Sequence, residues 1–354
     1  MAENAGTIGV SVDRFRVDPD DYTWVHDERE DAETRNRPRT KKRPAHADAT
    51  PGMVVGVDRG RYRVHIDSPT TTSPVTATRA KELRKESIVV GDHVDIVGDV
   101  SGADGALGRI VRIRPRKNVL RRSADDTDQV ERVIVANIDQ LVMVVAAANP
   151  EPRTRLIDRY IVAALDQDIT PVLVVTKTDL ASADSLLDYV APLDIPHVAL
   201  SSTDTGPGVE ALSALLRGRV SVFVGHSGVG KSTLVNRLVP AADRAVGDVN
   251  VHTGRGRHTS SSSVALSIDG GWIVDTPGVR SFGLGHVTPE SVAAGFDDLA
   301  DFLRDCPKAC SHSGDQEECG LTKALATDTL DSRLTARIRS LRLLLGHREE
   351  TDYA

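Results

Sequence analysis

Between residues 50 and about 118, apolar positions come in short runs broken by glycine, aspartate and proline: Met53–Val57, Tyr62–Ile66, Ile88–Val90, Val94–Val97 and Ile110–Ile113. Runs of this length bounded by turn formers read as β-strands. Five of them in about 70 residues predict a small barrel of the OB type. From about residue 130 the pattern changes. Continuous apolar runs at Leu141–Ala146, Val172–Val175, Val198–Leu200, Val220–Val224 and Trp272–Val274 read as fully buried strands. Between them, residues 154–166, 184–191, 208–217 and 231–239 carry helical patterns. That alternation predicts a parallel sheet covered on both faces, with ligands bound beyond the carboxyl ends of its strands. Near the C-terminus, Leu330, Leu334, Ile338 and Leu341 share one helical face. Arg333, Arg337, Arg339 and Arg342 lie largely off it, open to RNA or to water. The divisions expected are a charged arm (1–49), an OB-fold RNA-binding domain (50–122), an α/β domain (123–285) and a metal-binding helical region (286–354).

Composition narrows the class. The chain is 40% hydrophobic and 27% charged. Those proportions are in the soluble globular range. No apolar run reaches the roughly 18 residues that a membrane-spanning helix needs. No basic-then-apolar leader opens the chain, so neither a membrane span nor a secretory signal is indicated. The net charge of −7 hides segregation: residues 1–34 hold 10 acids and 3 bases, whereas RNRPRTKKRP (35–44) holds six bases and no acid. Neither block has apolar periodicity, and together they read as a disordered arm. RIVRIRPRKNVLRR (109–122) carries seven bases and no acid. At strand period Arg112, Arg114 and Arg116 share a face, opposite Val111 and Ile113. With Lys117, Arg121 and Arg122 they are the candidate RNA contacts. Tyr62 is the one aromatic residue in the barrel segment, so backbone electrostatics explain RNA binding better than base stacking.

GHSGVGKS, from Gly225 to Ser232, follows an apolar strand and opens a helix, which is the context of a phosphate-binding loop. Backbone N–H groups of Gly225, His226, Ser227, Gly228, Val229, Gly230 and the helix start at Lys231, Ser232 and Thr233 point at phosphate oxygens. Lys231 neutralises charge between the last two phosphates and the Ser232 hydroxyl is placed for Mg²⁺. DTPG (275–278), fifty residues beyond Gly225, offers Asp275 to Mg²⁺ through water and the Gly278 N–H to a γ-phosphate. GRGRHTSSS (254–262) lies between them as a candidate switch, in which Thr259, with Ser260 second, is the residue expected to close on Mg²⁺.

A phosphate loop does not choose a base. Downstream of Asp275 the lysines occur only in PKAC and LTKAL, neither of which supplies a guanine-reading aspartate. Such a reader stands upstream instead. TKTDL, with Thr176, Lys177, Thr178 and Asp179, ends the strand Val172–Val175, and LSST, with Ser201 and Ser202, ends the next. Base-reading elements that precede the phosphate elements describe a circularly permuted GTP site.

With these residues in hand the sequence closely resembles the RsgA family of circularly permuted GTPases over roughly residues 50–345. The motifs that carry the resemblance are RPRKNVL, VIVANIDQLVMVV, TKTDL, GHSGVGKSTLVN, GRGRHT, DTPGVRSFGL and the cluster CPKACSHSGDQEEC. The resemblance implies an N-terminal OB barrel, a central P-loop GTPase domain and a C-terminal zinc domain. It also implies GTP hydrolysis with Mg²⁺ in late maturation of the small ribosomal subunit, stimulated by that subunit and its rRNA, in the cytoplasm. His258 matches the family's proposed catalytic histidine; Val279 stands where many GTPases carry a water-orienting glutamine, so unassisted turnover is expected to be slow. Position 176 is Thr where the family usually has Asn, which puts one contact between base motif and phosphate loop in question.

Cys306, Cys310, His312 and Cys319 supply three thiolates and one imidazole in one short segment. That set is enough to close a structural zinc shell with no place for water. Their spacing, C-x₃-C-x-H-x₆-C, departs from the family's C-x₄-C-x-H-x₅-C, and the arm has no counterpart in the pattern. Nothing in the chain points to an obligate dimer, so a monomer is expected. Two other classes stay open at this level: an RNA-binding scaffold whose GTPase has decayed, against which Lys231, Ser232 and Asp275 argue, and a P-loop kinase or ATPase, against which Asp179 argues.

Overall fold

A computed structural model describes residues 46–68, 74–123, 131–201, 206–239, 263–276, 287–314, 316–327 and 330–349. The arm is therefore outside the described residues up to position 45.

The first five strands are β1 (Thr50–Asp58), β2 (Arg61–His65), β3 (Val75–Arg79), β4 (His93–Gly98) and β5 (Gly108–Ile113). β1 pairs antiparallel with both β2 and β4, while β3 runs parallel to β5, so the order 1-2-3-5-4 closes on itself as a barrel. Alternation drives the closure: Tyr62 and Val64 point into a core with Val54, Val75, Ala77, Val94, Ile96 and Ile110, while Arg61, Arg63 and His65 face outward.

One strand differs from expectation. Ile88–Val90 forms no ladder; Val90 makes a single bridge to Val135, while Ile88 plugs the barrel core. The third strand is VTATR, whose small and polar residues hide a half-buried alternation. The segment after Ile88 is fixed by Asp92, which is fully buried and accepts from the Val89 N–H at 2.8 Å.

A hairpin of β6 (Val119–Ser123) and β7 (Glu131–Ala136) leads into the second unit. This contains β8 (Gln140–Ala146), α1 (Thr154–Asp166), β9 (Thr170–Thr176), α2 (Asp184–Val190), β10 (His197–Ala199), α3 (Pro207–Leu216), β11 (Val220–Val224), α4 (Lys231–Leu238), β12 (Val264–Ile268) and β13 (Gly271–Asp275). The strands order as β10-β9-β8-β11-β13-β12; the first five are parallel and β12 returns antiparallel to β13. Along β8, Leu141, Met143 and Val145 pack on one face, with Ile157, Tyr160 and Ile161 of α1. Val142, Val144 and Ala146 pack on the other, with Leu212, Leu216, Leu234 and Val235 of α3 and α4. The strand is buried on both sides, hence its unbroken apolar run. β12 is not legible as an apolar run, although its Asp269-Gly270 turn is a hairpin signal.

The C-terminal region comprises α5 (Pro289–Ala293), α6 (Ala300–Arg304), α7 (Gly320–Leu325) and α8 (Ser332–Glu349). Of the expected face, Ile338 and Leu341 are buried in the same core as the α1 face and Leu330 and Leu334 pack partly buried against it; Leu344 and Leu345 extend that core beyond the expected face. Arg337 departs from that spacing. It is 7% exposed, bidentate on Asp298 at 2.9 Å, 3.3 Å from the Pro192 carbonyl and stacked over the Phe296 ring at 4.4 Å. A guanidinium with that many partners is structural, and is not available to RNA.

Candidate functional site

The parallel strands set their carboxyl ends along one edge. β11 ends at Val224, and the chain turns at Gly225, where a Cβ would collide with the Val144 carbonyl oxygen. Only glycine lets the loop begin so close to its neighbour. Val229 is buried and anchors the loop in the core beneath α4. His226, Ser227, Ser232 and Thr233 remain exposed, and Gly230 caps α4 at φ 92°. Next to this loop β13 delivers Asp275, whose Oδ1 is buried and finds no hydrogen-bond partner among the described residues. Burial pushes this carboxyl up, while the charge of Lys231 and the Thr276 amide work against it. An orphaned carboxylate oxygen within electrostatic reach of Lys231, on the strand next to the one that ends in the loop, fits a hard cation, which prefers oxygen ligands and here would neutralise phosphate charge.

The base-reading side is built on the adjoining strands. Thr176, the last residue of β9, donates from Oγ1 to the Val229 carbonyl at 2.6 Å. The hydroxyl thus ties the base motif directly to the phosphate loop, which meets the question raised by the missing asparagine. Lys177 donates from Nζ to the Asn149 carbonyl, and the Thr178 amide donates to the Leu200 carbonyl at 3.2 Å, joining the ends of β9 and β10. Asp179 is exposed at this edge. Arg237 of α4 approaches the Ser201 carbonyl at 3.5 Å, a second link between the two halves. Thr176 to Asp179, Ser201 and Gly225 to Thr233 are therefore brought together. Ser202, His258, Thr259 and Gly278 lie outside the described residues. Asn149 and Arg237 are missed from sequence because their contacts run through backbone carbonyls, which leave no residue-type signature.

The basic segment 109–122 takes a different form from the uniform face expected of it. β5 ends at Ile113, so strand alternation does not reach Arg116. Arg112 and Arg114 both pair with Asp95, at 3.2 and 2.7 Å, and Arg116 is bidentate on the buried Asp92 at 2.7 and 2.9 Å. Lys117 approaches Asp139 at 3.6 Å, Arg121 is half-buried, and the Arg122 side chain lies outside the described residues. Both partners stand in GDHVD (91–95), at the start of β4 and just ahead of it. Asp92 is fully buried, and removing one member of a buried pair leaves the other uncompensated. Asp92→Ala is therefore expected to lower unfolding free energy by about 3–5 kcal/mol, read as a shift of the urea midpoint.

Cys306, Cys310, His312 and Cys319 place their ligand atoms within 4.8 Å of one another. A tetrahedral zinc with Zn–S near 2.3 Å and Zn–N near 2.1 Å has S–S edges of about 3.8 Å and S–N edges of about 3.6 Å. The Cys306 and Cys319 sulfurs are 3.9 Å apart, and His312 Nδ1 lies 3.6 Å from the first and 3.9 Å from the second. The donors fit the ion. Burial pushes the Cys306 thiol up and that of Cys310 up to about 11; at Cys319 burial is outweighed by His312 and the Thr322 and Leu321 amides, and the thiol falls to about 6. The Gly320 amide donates to Cys306 Sγ at 3.3 Å, and a Cβ at this glycine would collide with the Phe302 carbonyl oxygen.

Comparison with known proteins then decides the lineage. A protein named small ribosomal subunit biogenesis GTPase RsgA, from Ectopseudomonas mendocina, is 42% identical over 277 residues, covering 75% of this chain and 77% of its own length. The chain belongs to the RsgA GTPase family. The RsgA GTPase family model matches residues 113–285, from the last barrel strand to just past DTPG. A second RsgA, from Chlorobaculum parvum, is 34% identical over 292 residues, covering 79% of this chain and 93% of its own. Among solved structures, YjeQ from Thermotoga maritima superposes with a TM-score of 0.61 at 28% identity, over 84% of this chain and 99% of its own. YloQ, a circularly permuted GTPase, gives a TM-score of 0.60 at 23% identity over 87% of this chain and 99% of its own, a likeness of fold. The RsgA architecture here is thus an N-terminal barrel, a circularly permuted GTPase unit and a helical C-terminal region with a Cys₃His cluster.

Proposed function

We propose that this protein hydrolyses GTP to GDP and phosphate during late maturation of the small ribosomal subunit, and that the subunit accelerates the reaction. The observation that carries the reading is the 2.6 Å bond from Thr176 to Val229, by which the end of the base-reading strand and the phosphate loop meet. Asp179 accepts from the guanine edge, with Ser201 and Ser202 flanking the base. Lys231 and the loop amides of Gly225 to Thr233 hold the phosphates, and the Gly278 amide approaches the last of them. Mg²⁺ neutralises phosphate charge when bound; Ser232, Asp275 and Thr259 are its ligands, directly or through water. His258 orients the attacking water in the subunit-bound protein. Zinc at the Cys₃His cluster is structural.

The barrel meets rRNA through phosphate contacts. Arg112 and Arg114, about half exposed despite their pairing, with Lys117, Arg121 and Arg122, supply that surface; Arg116, with its carboxylate chelate, is the structural member of the set. The described residues contain no helix long and apolar enough to cross a membrane, and the reading places a monomer in the cytoplasm with the subunits.

Turnover measured with and without purified small subunits tests this. Slow hydrolysis alone and a large acceleration with subunits are expected. Equal rates, as a scaffold or a kinase would give, would exclude the function. His258→Ala is expected to lower stimulated turnover about 10²-fold or more, the usual range for a lost proton-transfer or water-orienting group. Nucleotide affinity in the same protein should stay within about twofold of the unaltered chain. Unchanged stimulated turnover would leave His258 a positional role only.

A further inference from the structure

The register of the large sheet aligns the barrel with the nucleotide edge. Phe223 of β11 lies opposite Asp275 of β13, Asp275 opposite Val264 of β12, Val264 opposite Gly56 of β1, and Gly56 opposite Arg63 of β2. These five residues form a single row of cross-strand partners, from the strand that carries the phosphate loop to the outside of the barrel. Neighbouring strands lie about 4.8 Å apart, so Gly56 is about 10 Å and Arg63 about 14 Å from Asp275.

Two side-chain contacts reinforce the row. The Arg63 guanidinium lies over Gly56, where a Cβ would come within 2.7 Å of its Nε. His65, on the same outward face of β2, meets the ring of Trp272 edge-on, with centroids 4.9 Å apart and planes at 64°. Trp272 stands on β13 three residues before Asp275. β12 meets the barrel at the single pair Gly56–Val264 and is laddered along its length to the strand that carries Asp275, so a shift of the barrel at Gly56 reaches that strand through β12. Oδ1 of Asp275 has no donor among the described residues, so its Thr276 amide contact and its strand set where the carboxylate lies.

We propose that His65 and Trp272 are positioning residues for hydrolysis. Seating of the barrel on RNA sets the placement of the Asp275 carboxylate through their ring contact and through the Gly56–Val264–Asp275 row. The inference rests on the function proposed above, since it takes the small subunit's RNA as the barrel's partner. It adds a route by which that partner reaches the chemistry without touching the nucleotide.

The chain holds two tryptophans, Trp24 and Trp272, so in a Trp24→Phe protein the emission, with that of the subunits alone subtracted, reports Trp272. Saturation with small subunits is expected to change that emission, and an unaltered spectrum at saturation would overturn the proposal. In the same background His65→Ala removes the ring contact and His65→Phe retains one. His65→Ala is expected to lower subunit-stimulated kcat between about tenfold and a hundredfold, the scale of a small misplacement of a reacting group. Unstimulated turnover and subunit Kd should stay within about twofold. His65→Phe should recover the stimulation. Full stimulation with His65→Ala would end the proposal. So would weakened subunit binding that phenylalanine does not rescue, because His65 would then be an RNA contact. Loss of stimulation in the unaltered chain would instead bring down the function itself, and this inference with it.

Discussion

Asp179→Asn is expected to abolish the preference for GTP and create one for xanthosine triphosphate. Guanine presents two adjacent donors, its ring N–H and exocyclic amino group, and a carboxylate accepts both. The asparagine amide keeps one acceptor and turns a donor toward the amino group. Two hydrogen bonds to a charged acceptor contribute about 1.5–3 kcal/mol each, so GTP affinity should fall by about 10²–10⁴-fold. Xanthine carries a carbonyl in place of the amino group and restores both bonds. Isothermal titration with the two nucleotides reads the exchange directly. Asp179 is exposed, so the unliganded protein should melt as before. A variant that still chose GTP would remove Asp179, and with it the permuted base site, from the account.

Cys310→Ser should cost the protein its zinc and much of its fold. Structural zinc in Cys/His sites carries apparent binding free energies of about 10–16 kcal/mol, most of which is folding energy. Cys310 is 3% exposed and shares a core with Cys319, Leu321, Ile338 and Leu341. That core also contains Ile157, Tyr160 and Ile161 of α1, so the damage should not stop at the metal. Atomic absorption should find less than one zinc per chain, and thermal melting should shift downward with loss of helical signal. A serine protein with full zinc and an unaltered melting temperature would remove the assignment.

How much of this was legible beforehand depends on which atoms carry the signal. The phosphate loop, TKTDL and the Cys₃His set read from sequence because their chemistry sits in side chains at fixed spacing. The buried strands of the sheet read because burial on both faces makes them continuously apolar. VTATR failed to read because a barrel strand needs only a few inward residues, and Val75 and Ala77 are the buried ones. Ile88–Val90 misled for the converse reason: apolar residues fill a core from a loop as well as from a strand. Arg337 and Arg116 looked available because a charged residue on a helix face or in a basic run is usually solvated. Their carboxylate partners, Asp298 and Asp92, lie 39 and 24 residues away, and no local pattern announces a pairing made by the tertiary fold.

The packing of α8 on α1 has a consequence for biosynthesis. The apolar side of α1 is translated nearly two hundred residues before its cover, since Ile157 precedes Leu345 by that stretch of chain. A nascent polypeptide that has already completed its sheet therefore still displays an oily stripe until the final helix leaves the exit tunnel. Stop codons or proteolytic nicks ahead of residue 332 should yield a sticky, chaperone-bound product, however intact its GTP-site motifs.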